Sequence, residues 1–278
     1  VAILAMGMSP RYEGEEGEVH RGDDWNGDRP HIYLPKEQDE LIRQIIATGT
    51  PVVLALMTGS AIAMPWAAAH VPAIINAWYP GQQGGHAIAD ILFGKANPAG
   101  RLPVTFYRSM ADLPAFDNYS MDGRTYRYFN GEPLYPFGYG LSYSRFEYSD
   151  LKLSDSATIE TNGLTGSVRV KNASAVAGDE VVQIYVVRKD DMVSGPRRQL
   201  IAFERVPLSA GESKVIEFKA AADSFAASDD QGTRSIHRGE LVVTAGGRQP
   251  YVCASLPSCS NLIEKTIVIG DRHPKRMH

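Results

Sequence analysis

The pattern of apolar residues changes period near Phe146, and this change limits the possible folds more than any other feature of the chain. Before Phe146, continuous apolar runs such as Pro51–Met57 alternate with amphipathic segments of helical period such as Gly85–Phe93. After it, short apolar runs recur about every ten residues, with turn residues between them. The sequence therefore predicts an α/β sandwich with a mostly parallel sheet, followed by an all-β sandwich.

The chain length agrees with two domains, because 278 residues is near the size at which a single hydrophobic core stops growing. We place the α/β sandwich at residues 1–145. Its last part, residues 97–145, is a connecting segment rich in aromatic residues, glycine and proline, and is either functional or a packing belt. A β-sandwich of the immunoglobulin or fibronectin type III kind follows at 146–270, and a basic tail at 271–278.

Individual elements follow from the same periodicities and from the turn residues that flank them. In the first half they are helices at 35–49 and 85–93 and strands at 1–7, 51–57 and 73–79. In the second half they are strands at 164–171, 180–187, 199–206, 213–218 and 239–245.

Composition argues against two classes of partner. The net charge of −4 gives no support to nucleic-acid binding. The longest apolar run, Pro51–Met57, is far shorter than the roughly 20 residues of a membrane-spanning helix, so we expect no membrane partner. The chain begins without Met, and Val1–Met6 has the pattern of a core strand with nothing before it. We therefore expect a processed or truncated chain.

Two cysteines, Cys253 and Cys259, lie close together near the end of the chain. Neither has a His or a third thiol near it in the sequence, so we expect no metal site and no cofactor. A disulfide that closes this small loop is one interpretation, and two reduced thiols are the other. The disulfide requires an oxidising compartment, and we expect a periplasmic or secreted location.

An acidic loop opens directly off the first apolar run. Its first part carries four carboxylates: Glu13, Glu15, Glu16 and Glu18. Its second part, 22–29, adds three more carboxylates, an indole and a guanidinium. Carboxylates beside aromatic and amide groups are typical of acid/base chemistry on sugars, although a solvated acidic loop is the common alternative.

The position of the acidic loop favours the functional interpretation. In a parallel α/β sheet, ligands bind where the strands end at their carboxyl side. The acidic loop follows one such end after Gly7, the pair Gly59 and Ser60 follows another, and residues 78–82 follow a third. We therefore expect these three loops to converge on one site.

Two long motifs resemble glycoside hydrolase family 3. Residues 78–106, WYPGQQGGHAIADILFGKANPAGRLPVTF, and residues 135–143, YPFGYGLSY, carry the resemblance, which extends in order over essentially the whole chain. Residues 123–128 are similar to the β-xylosidase-like branch. The resemblance implies a retaining, exo-acting β-glycosidase, either a β-glucosidase or a β-xylosidase. Such an enzyme has a barrel, an α/β sandwich and a fibronectin type III-like domain, and this chain resembles the last two.

The resemblance also implies roles for residues. The nucleophilic aspartate of the family lies in the barrel, and its general acid/base lies on the loop that corresponds here to residues 8–29. Glu13-Gly14-Glu15 matches a Glu-Ala-Glu segment of xylosidase-like members, which favours Glu15 as the acid/base. The spacing in other branches places it at Glu13. The implied partners are an oligosaccharide or aryl glycoside, an N-terminal barrel domain or chain, and a second copy in a homo-oligomer.

Three further residues of the loop are candidates for substrate binding. Trp25 could stack on a sugar or anchor the loop, His20 could bind a sugar hydroxyl or be incidental, and Arg11 begins the loop. A non-catalytic carbohydrate-binding or scaffolding module is the alternative function. A phosphorylase or aminoglucosidase of the same family, with a His as its acid/base, is disfavoured by the glutamates of the loop.

Overall fold

The structure, a computed structural model, describes residues 1–14, 29–188, 195–228, 231–236, 238–250 and 261–270. The predicted fold class, an α/β sandwich followed by an all-β sandwich, is confirmed. The chain forms two compact units. Unit 1 comprises Val1–Ala96, Val104–Gly123 and Asn130–Pro136, and unit 2 comprises Asn97–Pro103, Arg124–Phe129 and Phe137–His278. The single domain boundary near residue 145 stays a prediction.

Unit 1 is built on a parallel sheet of three strands in the order β1-β2-β3. Its elements are β1 (Ala2–Gly7), α1 (Pro10–Glu13), α2 (Lys36–Ala47), β2 (Val52–Met57), α3 (Pro65–His70), β3 (Ala73–Asn76) and α4 (Gly84–Leu92). Because the three strands are parallel, their carboxyl ends lie along the same edge of the sheet. The loops that carry the predicted site all leave this edge.

Local sequence explains most of these elements. Helix α2 begins after Pro35, has Glu37 and Asp39 in its first turn, and packs the fully buried Ile42 into the core. Strand β2 is buried along most of its length, as its continuous apolar run predicts. Helix α3 was not predicted, because its six residues give no apolar stripe. Strand β3 is shorter than predicted, because Trp78 has a φ of 53°, which a strand cannot contain.

Unit 2 is a β-sandwich with an added two-stranded sheet. Its elements are α5 (Thr125–Tyr128), β4 (Phe146–Leu153), α6 (Ile159–Asn162), β5 (Leu164–Asn172), β6 (Gly178–Arg188), β7 (Arg198–Leu208), β8 (Ser213–Ala220), β9 (Ala226–Ser228), β10 (Arg234–Ile236), β11 (Gly239–Gly246) and β12 (Leu262–Ile269). One sheet has the order β12-β11-β6-β7, the other β4-β5-β8, and β9 pairs with β10. All three of these sheets contain only antiparallel pairs.

The core of unit 2 is formed by the inward side chains of the two larger sheets and by Ile159 of helix α6. Its most buried members are Ile159, Leu164, Val168, Val170 and Val243. Along β5 and β8, exposed residues alternate with more buried ones, as expected for a strand that has one face on the core and the other in solvent. Among the described residues, no helix is long and apolar enough to cross a membrane.

Three stretches of the connecting segment pack on the β-sandwich inside unit 2. The ring of Tyr126 stacks on Phe137 at 4.1 Å and meets the fully buried Tyr185 of β6 edge-on at 6.2 Å. The Gln183 side chain donates to the Gly138 carbonyl at 3.0 Å. These contacts cover the face of β6 that carries Gln183 and Tyr185, so this strand is buried on both faces.

A buried ion pair fixes another stretch of the connecting segment. Arg101 Nη2 lies 3.0 Å from Glu180 Oε2, and the two side chains are 9% and 2% exposed. Tyr148 donates its hydroxyl to the other carboxylate oxygen at 2.8 Å. Burial raises the pKa of Glu180, and the charge of Arg101 opposes this rise. The pair satisfies both charges in a place where an unpaired charge would be costly.

Candidate active site

Glu13 is the centre of a hydrogen-bond cluster at the carboxyl edge of the unit 1 sheet. Its Oε1 accepts from Thr58 Oγ1 at 2.8 Å and from Ser60 Oγ at 2.6 Å. Its Oε2 accepts from the Gly59 amide at 3.0 Å and from the hydroxyl of Tyr79. The predicted convergence of the three loops is therefore confirmed, because these donors follow β2 and β3 while Glu13 follows β1.

These contacts decide the charge state of Glu13. Partial burial favours the neutral acid, but the hydrogen bonds from Ser60, Tyr79, Thr58 and Gly59 outweigh it and lower the pKa of Glu13. The pKa of Tyr79 shifts in the opposite direction. Burial and the neighbouring carboxylate of Glu13 raise it to about 12. Glu13 is therefore an ionised acceptor, and Tyr79 is a neutral donor at physiological pH.

The backbone at this corner leaves no room for larger residues. A Cβ at Gly59 would lie 2.5 Å from Glu13 Oε2 and 2.6 Å from Tyr79 Cε2, well inside van der Waals contact. Gly7 has a φ of 136°, and a Cβ there would lie 1.7 Å from the Met57 carbonyl oxygen. Both glycines let strand ends and the carboxylate approach each other closely.

The first helix after the acidic loop supports the same corner. Gln38 of α2 accepts from the Gly7 amide at 2.8 Å and donates to the Gly7 carbonyl at 2.7 Å. Its side chain thus satisfies both backbone groups of the residue at which β1 ends. This clamp fixes the point from which Met8 and α1 lead into the acidic loop.

Arg29 brings the far end of the acidic loop to the same corner. Its Nη2 donates to Ser60 Oγ at 2.6 Å, and its Nη1 lies 3.5 Å from the sulfur of Met8. The Ser60 hydroxyl therefore accepts from Arg29 while it donates to Glu13. The chain leaves this point at Glu13 and returns to it at Arg29.

Aromatic residues flank the site within unit 1. Trp78 meets Phe106 edge-on at 6.1 Å, and Phe106 meets Tyr135 in the same way at 6.2 Å. The Asn76 side chain, at the end of β3, has both amide atoms buried without a hydrogen-bond partner in the described part of the chain. Further out, Phe116 and Tyr119 are almost fully exposed.

The structure describes only some of the site residues that were predicted from the sequence. Glu13 lies at the centre of the site. Its partners Thr58 and Tyr79 were not singled out as site residues, and neither was Gln38, which bonds the backbone of Gly7. Their place directly after a strand, or in the helix that follows the loop, was the available signal. Glu15, His20 and Trp25, and the side chain of Arg11, lie outside the described residues, as do Cys253 and Cys259. Their proposed roles stay predictions.

No group of three or more His, Cys, Asp or Glu side chains in the described residues is arranged to hold a metal ion. The site is thus described by one carboxylate, hydroxyl and amide donors, one guanidinium and neighbouring aromatic rings. Hydroxyl, amide and guanidinium groups beside aromatic rings suit the binding of polar organic substrates.

Comparison with known proteins gives two family matches. Residues 1–143 match the Glycosyl hydrolase family 3 C-terminal domain, and residues 180–249 match the Fibronectin type III-like domain. A xylan 1,4-beta-xylosidase of Xylanibacter ruminicola is 42% identical over 225 residues, which is 80% of this chain and 25% of that protein. A periplasmic beta-glucosidase of Salmonella typhimurium is 42% identical over 204 residues, 68% of this chain and 26% of that protein.

Solved structures give the same result for the fold. A β-glucosidase of Erythrobacter marinus is similar with a TM-score of 0.76 and 33% sequence identity, over 96% of this chain and 34% of that chain. The present chain therefore spans about a quarter to a third of the length of the relatives it matches. The predicted resemblance, made from residues 78–106 and 135–143, is confirmed.

Proposed function

The chain belongs to glycosyl hydrolase family 3, and we propose that it is the acid/base-bearing part of a retaining, exo-acting β-glycosidase. The observation that carries the proposal is the acidic loop, whose two ends meet Ser60 at the carboxyl edge of the unit 1 sheet. Retaining hydrolysis needs two carboxyl groups about 5 Å apart, one on each side of the glycosidic bond. The loop supplies one of them, and an N-terminal barrel domain supplies the nucleophile.

Within the loop we assign the general acid/base to Glu15. A general acid must hold its proton near the working pH, and Glu13 is unsuited to this because its hydrogen bonds lower its pKa. Glu15 lies two residues further along in a segment dense in carboxylates, where like charges raise a pKa. Arg11, His20 and Trp25 are then the candidates for contacts with the sugar.

The reaction proceeds in two displacements. In the first, the nucleophile attacks the anomeric carbon while Glu15 transfers its proton to the glycosidic oxygen, so that the leaving alcohol departs neutral. In the second, the Glu15 carboxylate takes a proton from water, and the oxygen of that water attacks the anomeric carbon and releases the nucleophile. The second displacement returns both the nucleophile and Glu15 to their starting states, and no cofactor takes part.

The substrate class is a terminal β-linked glucose or xylose on an oligosaccharide or aryl glycoside. Its support is the naming of the relatives, which are a beta-xylosidase and a beta-glucosidase. A periplasmic or secreted location fits an enzyme that acts on such substrates, and one relative is named periplasmic. The homo-oligomer stays a prediction, which the molar mass in solution tests.

The assignment of Glu15 is tested in the longer protein that includes the barrel. Changing Glu15 to Ala should slow hydrolysis of a β-linked disaccharide by about 10²- to 10⁴-fold, the usual contribution of a general acid/base. Activated aryl glycosides should lose much less, because their leaving groups need no proton. Azide should partly restore turnover by attacking the glycosyl-enzyme without base assistance. A loss below tenfold on the disaccharide contradicts the assignment.

The need for a second carboxylate gives an independent test. The isolated chain of 278 residues should show no turnover of aryl β-glycosides, and addition of the barrel should restore it. Turnover by the purified chain alone contradicts the two-part mechanism. Sugar binding by the longer protein without any hydrolysis would instead favour the non-catalytic carbohydrate-binding module.

A further inference from the structure

We propose that Glu13 is a positioning residue: its carboxylate fastens the first residues of the acidic loop to the strand ends and so sets the place of Glu15. This inference rests on the glycosidase function proposed above and deepens it. It gives Glu13 a task different from the proton transfer that the family resemblance left open between Glu13 and Glu15. It also explains why the corner around Gly59 is so closely packed.

The hydrogen bonds of Glu13 leave it no capacity for a substrate. A carboxylate has about four acceptor positions, and here Thr58, Gly59, Ser60 and Tyr79 each use one. All four donors belong to the scaffold, on the segments that follow β2 and β3. The Glu13 carboxylate therefore has no acceptor position left with which to contact a glycosidic oxygen. Positioning, and not proton transfer, is what this geometry can do.

The link from Glu13 to Glu15 is short. Glu13 is the last residue of α1, and Gly14 follows it with a φ of 65° and a ψ of 171°. The Gly14 amide donates to the Pro10 carbonyl at 2.9 Å. Only one residue, Gly14, separates the anchored carboxylate from Glu15.

The other end of the loop is tied to the same hydroxyl. Ser60 Oγ donates to Glu13 and accepts from Arg29, with both distances 2.6 Å. Fixing both ends of a segment removes conformations that the segment would otherwise sample. Since a misplacement of about 1 Å can cost a catalytic group about 100-fold, an anchor at each end affects the rate without touching the substrate.

The test uses the longer protein with three single variants. Glu13→Gln keeps the size of the side chain but turns an NH₂ group toward two donors. Tyr79→Phe removes one hydroxyl donor and keeps the ring. Glu37→Gln is the matched control, a carboxylate-to-amide change on the exposed surface of α2. Turnover of a β-linked disaccharide and of an activated aryl glycoside is measured for each, with and without azide.

We expect Glu13→Gln to lower kcat on the disaccharide by about 10- to 100-fold, and Tyr79→Phe by about three- to tenfold. Azide should restore both variants less than it restores Glu15→Ala, because a displaced Glu15 still supplies part of the base assistance. Glu37→Gln should match the wild type. The amide of Gly59, which donates to Glu13, should exchange its hydrogen faster in Glu13→Gln than in Glu37→Gln. This readout does not depend on activity.

Two results overturn the proposal. Azide rescue of Glu13→Gln as large as that of Glu15→Ala means that Glu13 is itself the acid/base. A kcat within twofold of the wild type means that the anchor has no effect on the reaction. Failure of the glycosidase function is distinguishable from both, because it abolishes turnover in the wild type and in Glu37→Gln as well. In that case unchanged exchange of the Gly59 amide still counts against the anchor.

Discussion

At the scale of single residues, the ionised state of Glu13 links the site to pH. Its pKa in the folded chain lies below that of the unfolded chain, so its contribution to stability is fully present above the unfolded value of about 4.3. That contribution is lost as the pH falls through the lowered pKa. We expect the stability difference between wild type and Glu13→Gln to shrink on acidification below about pH 4. Urea unfolding at pH 7, 5 and 3.5 measures it, and a constant difference contradicts the prediction.

Gly59 has no space for a side chain, and this gives a second prediction for a single residue. Gly59→Ala forces the Glu13 carboxylate and the Tyr79 ring away from the positions that a Cβ would occupy. We expect a fall of about tenfold or more in kcat of the longer protein, as for a misplaced catalytic group. Gly85→Ala is the control, because nothing lies within 4 Å of a Cβ at that position. Equal activity of the two variants contradicts the prediction.

Arg101 and Glu180 form a buried ion pair, so removal of either charge alone should destabilise the fold. Arg101→Met leaves Glu180 buried and unpaired, which should cost about 3–5 kcal/mol in the free energy of unfolding. Burial already raises the pKa of Glu180, and loss of Arg101 raises it further. Because a raised pKa means that stability increases as the pH falls through it, the deficit should shrink in acid.

The double variant Arg101→Met with Glu180→Gln is the control for this pair. It has no buried charge, so it should be more stable than Arg101→Met at pH 7 and should lack the acid-dependent recovery. Urea unfolding across this range checks both points. A deficit in Arg101→Met that is independent of pH contradicts the buried-charge explanation.

At the scale of elements, helix α2 does more than pack against the sheet. Gln38 satisfies the amide and the carbonyl of Gly7, so Gln38→Met leaves both groups unpaired and should cost about 1–3 kcal/mol of stability. Gln44→Met is the matched control on the same helix, since its side chain pairs only with the exposed Glu40. Urea unfolding compares the two, and equal losses contradict a special role for the clamp.

The sequence predicted those elements whose burial is periodic and missed those that depend on tertiary contacts. Helix α2 and strand β2 have strong patterns and lie within one or two residues of the prediction. Helix α3 lacks an apolar stripe, and the end of β3 is set by the backbone of Trp78, which no pattern reports. The same holds for the site. The sequence gives the strand ends and the carboxylates, but the bond between Glu13 and Tyr79 joins residues 66 positions apart.

At the scale of the whole molecule, the chain passes between its two compact units several times. Residues 97–103, 124–129 and 137–145 belong to unit 2, whereas 104–123 and 130–136 belong to unit 1. A fragment starting at residue 146 therefore lacks Tyr126, Gly138 and Arg101, which contact β6 in the whole chain. The compact unit that contains the β-sandwich thus includes residues that precede its first strand.

We expect the fragment 146–278 to unfold at a lower urea concentration than the β-sandwich of the whole chain. It should also bind the dye ANS, because Tyr185 loses the ring of Tyr126 that covers it. Intrinsic fluorescence and ANS emission measure the two effects. A fragment that matches the whole chain in both would show that the connecting stretches add nothing to the stability of the sandwich.

The repeated passage between units also has a consequence for how such genes evolve. A crossover event in the DNA that encodes residues 97–137 would join stretches from one parent to a sandwich from another. Arg101 from one parent would then lie against residue 180 of the other parent, and the buried ion pair would form only if that residue is acidic. The two units should therefore be inherited together, and proteins that combine one unit from each of two parents should be rare.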